Sequence, residues 1–164
     1  MAKPSTVSRF TDDEYRRVIE LMPIPCVDVV IFNDGGEFLL GRRRNRPAQG
    51  QWWIPGGRIK KNEGLGERAV IDRVRDETGL IVKRPRFLTI YDLRFPDSAF
   101  GPPAQCISLL FTARVDGPTT PRVDSQHSEF RWVSRDQLSR ISPAIDRQLR
   151  LQLQQACELQ SSQK

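Results

Sequence analysis

The residues of this chain that could do chemistry gather in one stretch, residues 56–80. The stretch opens with the pair Gly56-Gly57, whose backbone is free to make a tight turn or to approach a ligand closely. An isolated acid, Glu63, follows, and two more acids, Asp76 and Glu77, end a helical pattern. Carboxylates beside a glycine loop suit a hard, oxygen-preferring cation such as Mg²⁺. We therefore predict a metal site in this loop–helix unit.

A second interpretation of the same charges stays open at this point. Asp72, Arg73, Asp76 and Glu77 are three or four residues apart, so they line one arc of a helix. Charges at this spacing are typical of a solvated helix face held by salt bridges. The metal site is favoured because the glycine pair, the isolated acid and the acidic helix end occur together.

The combination resembles the Nudix box, the metal-binding loop–helix of hydrolases that act on nucleoside diphosphates linked to another group. The positions that match the box are Gly57, Glu63, Val74, Glu77, Gly79 and Leu80, with Asp76 in place of a glutamate. The chain departs from the box in two ways. Its middle segment is one residue longer, and Asp72-Arg73 replaces Arg-Glu. The second departure puts a positive side chain where the family usually has a metal ligand.

The resemblance extends to the residues before the box and to a later segment. The sequence N-R-P-A-Q-G followed by P-G-G-R is similar to the corresponding segment of GDP-mannose mannosyl hydrolases, a Nudix branch in which water attacks the anomeric carbon of the sugar. This resemblance implies one Mg²⁺, with Mn²⁺ as an alternative ion, held by the Gly56 carbonyl, Glu77 and Gln126. It also implies that His127 is the general base. Asp76 adds a further candidate ligand.

The same resemblance assigns the substrate contacts. It implies that Arg43 and Arg58, with the strand acid Asp28, handle the substrate and its leaving diphosphate. Arginine suits this task because its planar guanidinium binds phosphate oxygens in pairs. A homodimer is expected from the resemblance alone. Cys106 stands where the branch carries a tyrosine near the reacting sugar, so one contact there is lost or replaced.

Three functions remain open from the sequence. Gln126-His127 favours a GDP-sugar hydrolase that releases GDP and free mannose or glucose. Asp76-Glu77 favours an ordinary Nudix pyrophosphatase that attacks phosphorus in a nucleotide sugar or nucleoside triphosphate. Arg73 favours a non-catalytic nucleotide-binding module, because a cation there disfavours a second metal ion. His127 is the chain's single histidine, and a lone histidine is often structural.

Composition limits the partners. The net charge is +6, yet the basic residues form no recognisable nucleic-acid module, so a small phosphate-bearing substrate explains the dense run around Arg43. No apolar run reaches membrane-spanning length and no signal peptide is recognisable, so a cytoplasmic location is the default expectation. The three cysteines are far apart in sequence and predict no disulfide framework.

The pattern of elements predicts an α/β fold in one domain. Residues 1–9 are expected to form a disordered arm, residues 10–159 a single Nudix-like domain and residues 160–164 a frayed tail. The resemblance implies an α/β/α sandwich with a mixed central sheet and the loop–helix metal motif. Helices are predicted at 11–21, within the box, at 134 and from 142 to about 159, and strands at 26–32, 37–43, 52–54, 81–91, 105–115 and 129–133.

Overall fold

The computed structural model describes residues 11–61, 63–143 and 145–161. The predicted arm and the last three residues of the predicted tail lie outside these ranges. The helices are α1 (Asp12–Leu21), α2 (Glu67–Thr78) and α3 (Arg147–Ser161), with a short 3₁₀ helix at Arg135–Gln137. The strands are β1 (Ile24–Phe32), β2 (Phe38–Arg43), β3 (Trp52–Trp53), β4 (Gly56–Arg58), β5 (Val82–Phe95), β6 (Ala104–Val115) and β7 (His127–Val133).

Within the described ranges, the seven strands form one mixed sheet. Its main path is β3-β2-β1-β6-β5, with β7 added to β2 and β4 added to β1. Strand β1 runs parallel to β6 along its whole length. On its other edge β1 pairs with β2 only at Phe32, and with β4 from Cys26 to Asp28. The sheet therefore splits along β1, and the split opens beside Asp28.

Helices cover both faces of this sheet, as the sequence predicts. Val70 and Val74 of α2 pack in one apolar cluster with alternate residues of β1. Leu149 and Leu153 of α3 pack in a second cluster, on residues of β1, β2 and β5. The α/β/α sandwich with a mixed sheet is confirmed. No helix in the described part of the chain is long and apolar enough to span a membrane.

Two elements differ from the sequence prediction for clear physical reasons. Strand β5 continues to Phe95, four residues past the predicted end, because it pairs with β6 as far as Ala104. Helix α3 begins at Arg147 rather than near Ser142. The Asp146 carboxylate accepts hydrogen bonds from the backbone N–H groups of residues 148 and 149, so Asp146 caps the helix instead of lying inside it.

Candidate active site

Asp28 lies at the split in the sheet and is buried. Its Oδ2 atom accepts hydrogen bonds from the Tyr91 hydroxyl at 2.7 Å and from Ser108 Oγ at 2.5 Å. Burial raises the pKa of this carboxyl group, although both hydrogen bonds oppose that shift. Gly56 packs directly against the other side: a Cβ atom there would collide with Oδ1. A glycine is therefore required at position 56 by its close approach to Asp28.

Glu77 points into the site from the last turn of α2. Its side chain is only 11% exposed. Burial raises its pKa to about 8, and the neighbouring carboxylates of Asp124 and Asp28 push in the same direction. A divalent cation would reverse this shift, because it would replace repulsion among the acids by attraction. Glu77 thus has the electrostatic environment of a metal ligand.

His127 is the first residue of β7, whereas the sequence predicts it in a loop. Its Nδ1 atom lies 2.9 Å from Asp124 Oδ1, which also accepts the backbone N–H of Gln126 and of His127. Because an ionised carboxylate can only accept hydrogen bonds, Nδ1 is the donor and the lone pair of the neutral ring is on Nε2. Gly41 on β2 leaves room for the ring, since a Cβ there would clash with it.

The Nε2 atom of His127 is buried and has no hydrogen-bond partner among the residues described. It lies 3.9 Å from Glu77 Oε1. Burial lowers the pKa of the imidazole, which keeps the ring neutral and its lone pair available near pH 7. Such an atom is either a base for a water molecule or a ligand for a metal ion.

The donor set fits a divalent metal ion. One ligand atom from each of Glu77, Asp124 and His127 lies within 4.8 Å of the other two. Carboxylate oxygens suit Mg²⁺, and an oxygen set with an imidazole also suits Mn²⁺. The hydrogen bond from Nδ1 to Asp124 is the kind of support that commonly orients a histidine at a metal site.

The other predicted metal ligands line the same cleft and differ in their exposure to solvent. Gly56 lies in β4 opposite Asp28 and lines the cleft. Gln126 also lines the cleft, and its side chain is exposed. Asp76 is 76% exposed and lies 3.7 Å from the Arg75 guanidinium. The structure therefore brings Glu77 to the buried cluster and leaves Asp76 at its outer margin.

The two predicted substrate arginines line one cleft of about 910 Å³. Arg43 ends β2 directly opposite His127 and is partly buried. Its Nε donates to the Pro47 carbonyl at 2.7 Å. Burial lowers the pKa of Arg43, and the charges of Glu77 and Asp28 oppose that shift. Arg58 is exposed, and its guanidinium stacks 4.6 Å from the centre of the Tyr15 ring.

Arg73, the unexpected cation of the box, binds the box loop. Its guanidinium donates to Glu63 Oε1 at 2.5 Å and to the Arg58 carbonyl at 3.1 Å. The side chain is only 12% exposed. Glu63 also accepts the Lys60 backbone N–H. The Arg73–Glu63 pair therefore fastens the loop to α2.

Sequence reasoning missed three residues of the site. Asp124 had a local signal, because it is an acid three residues before the single histidine and can reach back to it. Tyr91 and Ser108 had none: they lie 63 and 80 residues from Asp28 along the chain and meet it only through strand pairing.

Comparisons with known proteins agree with this geometry. Residues 22–152 match the NUDIX domain family. The chain is 34% identical over 111 residues to an ADP-ribose pyrophosphatase of Methanocaldococcus jannaschii, an alignment that covers 67% of this chain and 62% of that protein. It is 45% identical over 75 residues to the low-salt glycan biosynthesis protein Agl8 of Haloferax volcanii, covering 46% of this chain and 45% of that protein. The alignments thus span roughly half the length of these relatives.

Solved structures support the fold. The NUDIX domain of Shewanella oneidensis NrtR, determined with ADP ribose, superposes with a TM-score of 0.64 at 23% identity, covering 91% of this chain and 98% of that one. At this identity the likeness concerns the fold alone. The family match covers most of the sequence. The box loop, the acidic end of α2 and the strands of the split sheet all lie within the matched residues. The chain belongs to the Nudix family of hydrolases.

Proposed function

We propose that this Nudix hydrolase cleaves a GDP-sugar, GDP-mannose or GDP-glucose, to GDP and the free sugar, with water attacking the anomeric carbon. The observation that carries the proposal is the orientation of His127. A carboxylate holds its Nδ1–H, and its Nε2 lone pair is buried, unpartnered in the described structure and turned toward Glu77. This is the arrangement that a general base for water requires.

His127 would accept a proton from the attacking water at Nε2. The positive charge that forms on the ring would then be stabilised by Asp124, which also prevents the ring from turning. A neutral histidine is needed for this step, and burial provides it by lowering the pKa. The proton could later leave through solvent at the cleft.

The leaving diphosphate gains negative charge as the carbon–oxygen bond breaks. Nudix hydrolases use divalent metal ions, and a bound Mg²⁺ or Mn²⁺ would supply charge stabilisation at this point. Glu77 would hold the ion, with the Gly56 carbonyl, Gln126 and Asp76 as the further ligands predicted from sequence. Each of these residues lines the cleft.

Arg43 and Arg58 would bind the phosphate oxygens from the same cleft. Arg43 is the better placed for the reacting end, because it is paired with His127 across strands β2 and β7. Asp28 uses Oδ2 for Tyr91 and Ser108 and packs Oδ1 against Gly56, so it would hold this wall of the cleft in place for the substrate. The net charge of +6 is consistent with an anionic small substrate.

A second candidate is a pyrophosphatase that attacks phosphorus. It is favoured by the similarity to an ADP-ribose pyrophosphatase and by the raised pKa of Glu77, which could itself act as a base. A homodimer and a cytoplasmic location stay predictions.

Product analysis distinguishes these functions. The protein is incubated with Mg²⁺ and GDP-mannose, and the nucleotides are separated by ion-exchange chromatography. GDP with free mannose supports the proposal, and GMP with mannose 1-phosphate supports the pyrophosphatase. Absence of turnover for GDP-mannose, GDP-glucose and ADP-ribose, with nucleotide binding retained, would instead indicate a binding module. Asp28→Asn, which keeps the shape of the side chain, is expected to lower the rate without changing the products.

A further inference from the structure

The cleft has two chemically different ends. Asp28, Glu77 and Asp124 form a charged end, whereas Ile24, Cys26, Trp53, Leu93, Phe100 and Cys106 line the other. Strand β1 connects the ends along the floor. Four residues separate Asp28 from Ile24, and at about 3.3 Å per strand residue this corresponds to about 13 Å. If the diphosphate of a substrate lies at the charged end, one of the two groups attached to the diphosphate therefore reaches the apolar end.

Helix α1 and the loop between β5 and β6 close the apolar end. Tyr15 of α1 and Phe100 of the loop meet edge to face, with ring centroids 4.7 Å apart and planes at 66°. Both rings are partly exposed, and both line the cleft. Behind them, Ile19, Ile24 and Ala104 form a small apolar cluster. The aromatic pair is therefore supported by packing and partly exposed in the cleft.

The guanidinium of Arg58 lies at the junction of the two ends. It stacks over the Tyr15 ring at 4.6 Å, and Arg58 is paired with Cys26 across strands β1 and β4. A phosphate bound by Arg58 would thus lie beside the aromatic pair. This arrangement places a phosphate-binding cation next to two aromatic rings, and a nucleotide has a phosphate and a base that match these two groups.

The apolar end suits a base better than a sugar. A hexose has a hydroxyl on most of its carbons, and each buried hydroxyl without a partner costs free energy. Two polar side chains close to Phe100 already have partners: Ser98 Oγ accepts the Phe100 backbone N–H at 3.2 Å, and Arg46 pairs with Asp97 at 3.4 Å. A purine, by contrast, has two apolar faces that stack on aromatic rings with little need for hydrogen bonds.

We propose that Tyr15 and Phe100 form the nucleobase subsite, which binds a purine by stacking and apolar contact. The proposal rests on the proposed function, since it requires a diphosphate held at the charged end. It adds a direction to the substrate: the base lies under α1, and the sugar lies beyond His127 on the other side of the diphosphate. In this direction Cys106 lies beside the base, whereas the resemblance implies a position near the reacting sugar. Recognition by ring contacts does not distinguish the two purines, so guanine and adenine nucleotides should bind with similar affinity.

Binding of the two halves of the substrate tests this direction. In the presence of Mg²⁺, titration calorimetry measures the affinity for GDP and, separately, for mannose 1-phosphate. Tyr15→Leu and Phe100→Leu keep apolar bulk but remove the ring, and each is expected to weaken GDP binding on the order of 10-fold. Mannose 1-phosphate binding should stay within twofold of wild type. Phe87→Leu is the matched control, because Phe87 is also exposed but packs on Phe111 of the sheet.

Several outcomes would overturn the subsite. These are unchanged GDP binding in both variants, or a loss confined to mannose 1-phosphate. A preference of more than about 100-fold for GDP over ADP would refute recognition by stacking alone. Because the assay measures binding and not turnover, its result is independent of which bond is cleaved: a GDP-specific loss in a protein that releases GMP would retain the subsite and reject the proposed reaction.

Unfolding of α1 in the variants would also weaken GDP binding, so a second measurement uses the wild-type protein. Saturation-transfer NMR with GDP and Mg²⁺ reports which ligand protons lie near protein side chains. Saturation of the base proton H8 above the ribose protons, after irradiation of the aromatic region, supports the subsite. Saturation confined to the ribose would contradict it, whatever the stability of the variants.

Discussion

The burial of Glu77 should make the stability of the metal-free protein depend on pH. The pKa of this residue is about 8 in the folded protein, against an ordinary value of 4.5. A raised carboxyl pKa stabilises the folded state fully below pH 4.5, and this contribution is lost as pH rises toward 8. Since one pH unit corresponds to 1.36 kcal/mol, the loss is about 3 kcal/mol at pH 7 and about 5 kcal/mol when complete.

Replacing Glu77 by glutamine should remove this dependence, because glutamine does not ionise and has nearly the same shape. Urea unfolding in EDTA at pH 5.5, 6.5 and 7.5 measures the free energy of unfolding of both proteins. We expect the wild-type value to fall relative to that of Glu77→Gln by about 1 kcal/mol per pH unit. Comparison of the two proteins cancels the contributions of Asp28 and His127, whose pKa values are also shifted.

Asp76→Asn is the matched control, because Asp76 is the adjacent acid and is 76% exposed. Its unfolding free energy should follow that of wild type at each pH. If the free energies of unfolding of wild type and Glu77→Gln change with pH in parallel, the expected pKa shift is refuted. Such a result would show that Glu77 ionises freely in the folded protein. Addition of Mg²⁺ should restore stability to wild type at pH 7.5 and have little effect on Glu77→Gln.

Three further predictions concern the site around His127. His127→Gln should lower kcat on the order of 10²–10⁴-fold, the usual contribution of a general base; a drop of less than about tenfold in steady-state kinetics would reject that role. Asp124→Asn should lower kcat with a smaller change in KM and should alter the pH–rate profile, because the amide can present the wrong hydrogen-bonding atom to Nδ1. Gly41→Ala should destabilise the fold by about 1–3 kcal/mol and reduce activity, since its Cβ would meet the His127 ring, whereas Gly64→Ala, in open space, should change neither.

Much of the fold follows from local patterns in the sequence. The capping box of Thr11 and Glu14 fixes the start of α1, and the helical pattern that ends at Gly79 fixes the end of α2, where Gly79 adopts a left-handed conformation. Local patterns do not determine how far a strand extends, which is why β5 exceeds its predicted length. Its last residues are held by pairing with β6 and not by their own propensity.

The site was only partly predictable, because it joins segments that are distant in the chain. The sequence around the box predicted Gly56 and Glu77 as metal ligands, and the single histidine of the sequence was a candidate for the general base. Their neighbours Tyr91 and Ser108 reach Asp28 through the order of strands in the sheet, which no short motif encodes. Arg73 also needed the structure, since its partner Glu63 lies ten residues away across a loop.

The bond that breaks distinguishes attack at the anomeric carbon from attack at phosphorus. Hydrolysis of GDP-mannose with Mg²⁺ in ¹⁸O-labelled water, followed by mass spectrometry of the products, identifies the attacked atom directly. Attack at the anomeric carbon, with His127 as base, predicts label in free mannose and none in GDP. Label in GMP or in mannose 1-phosphate would show attack at phosphorus and would contradict the account.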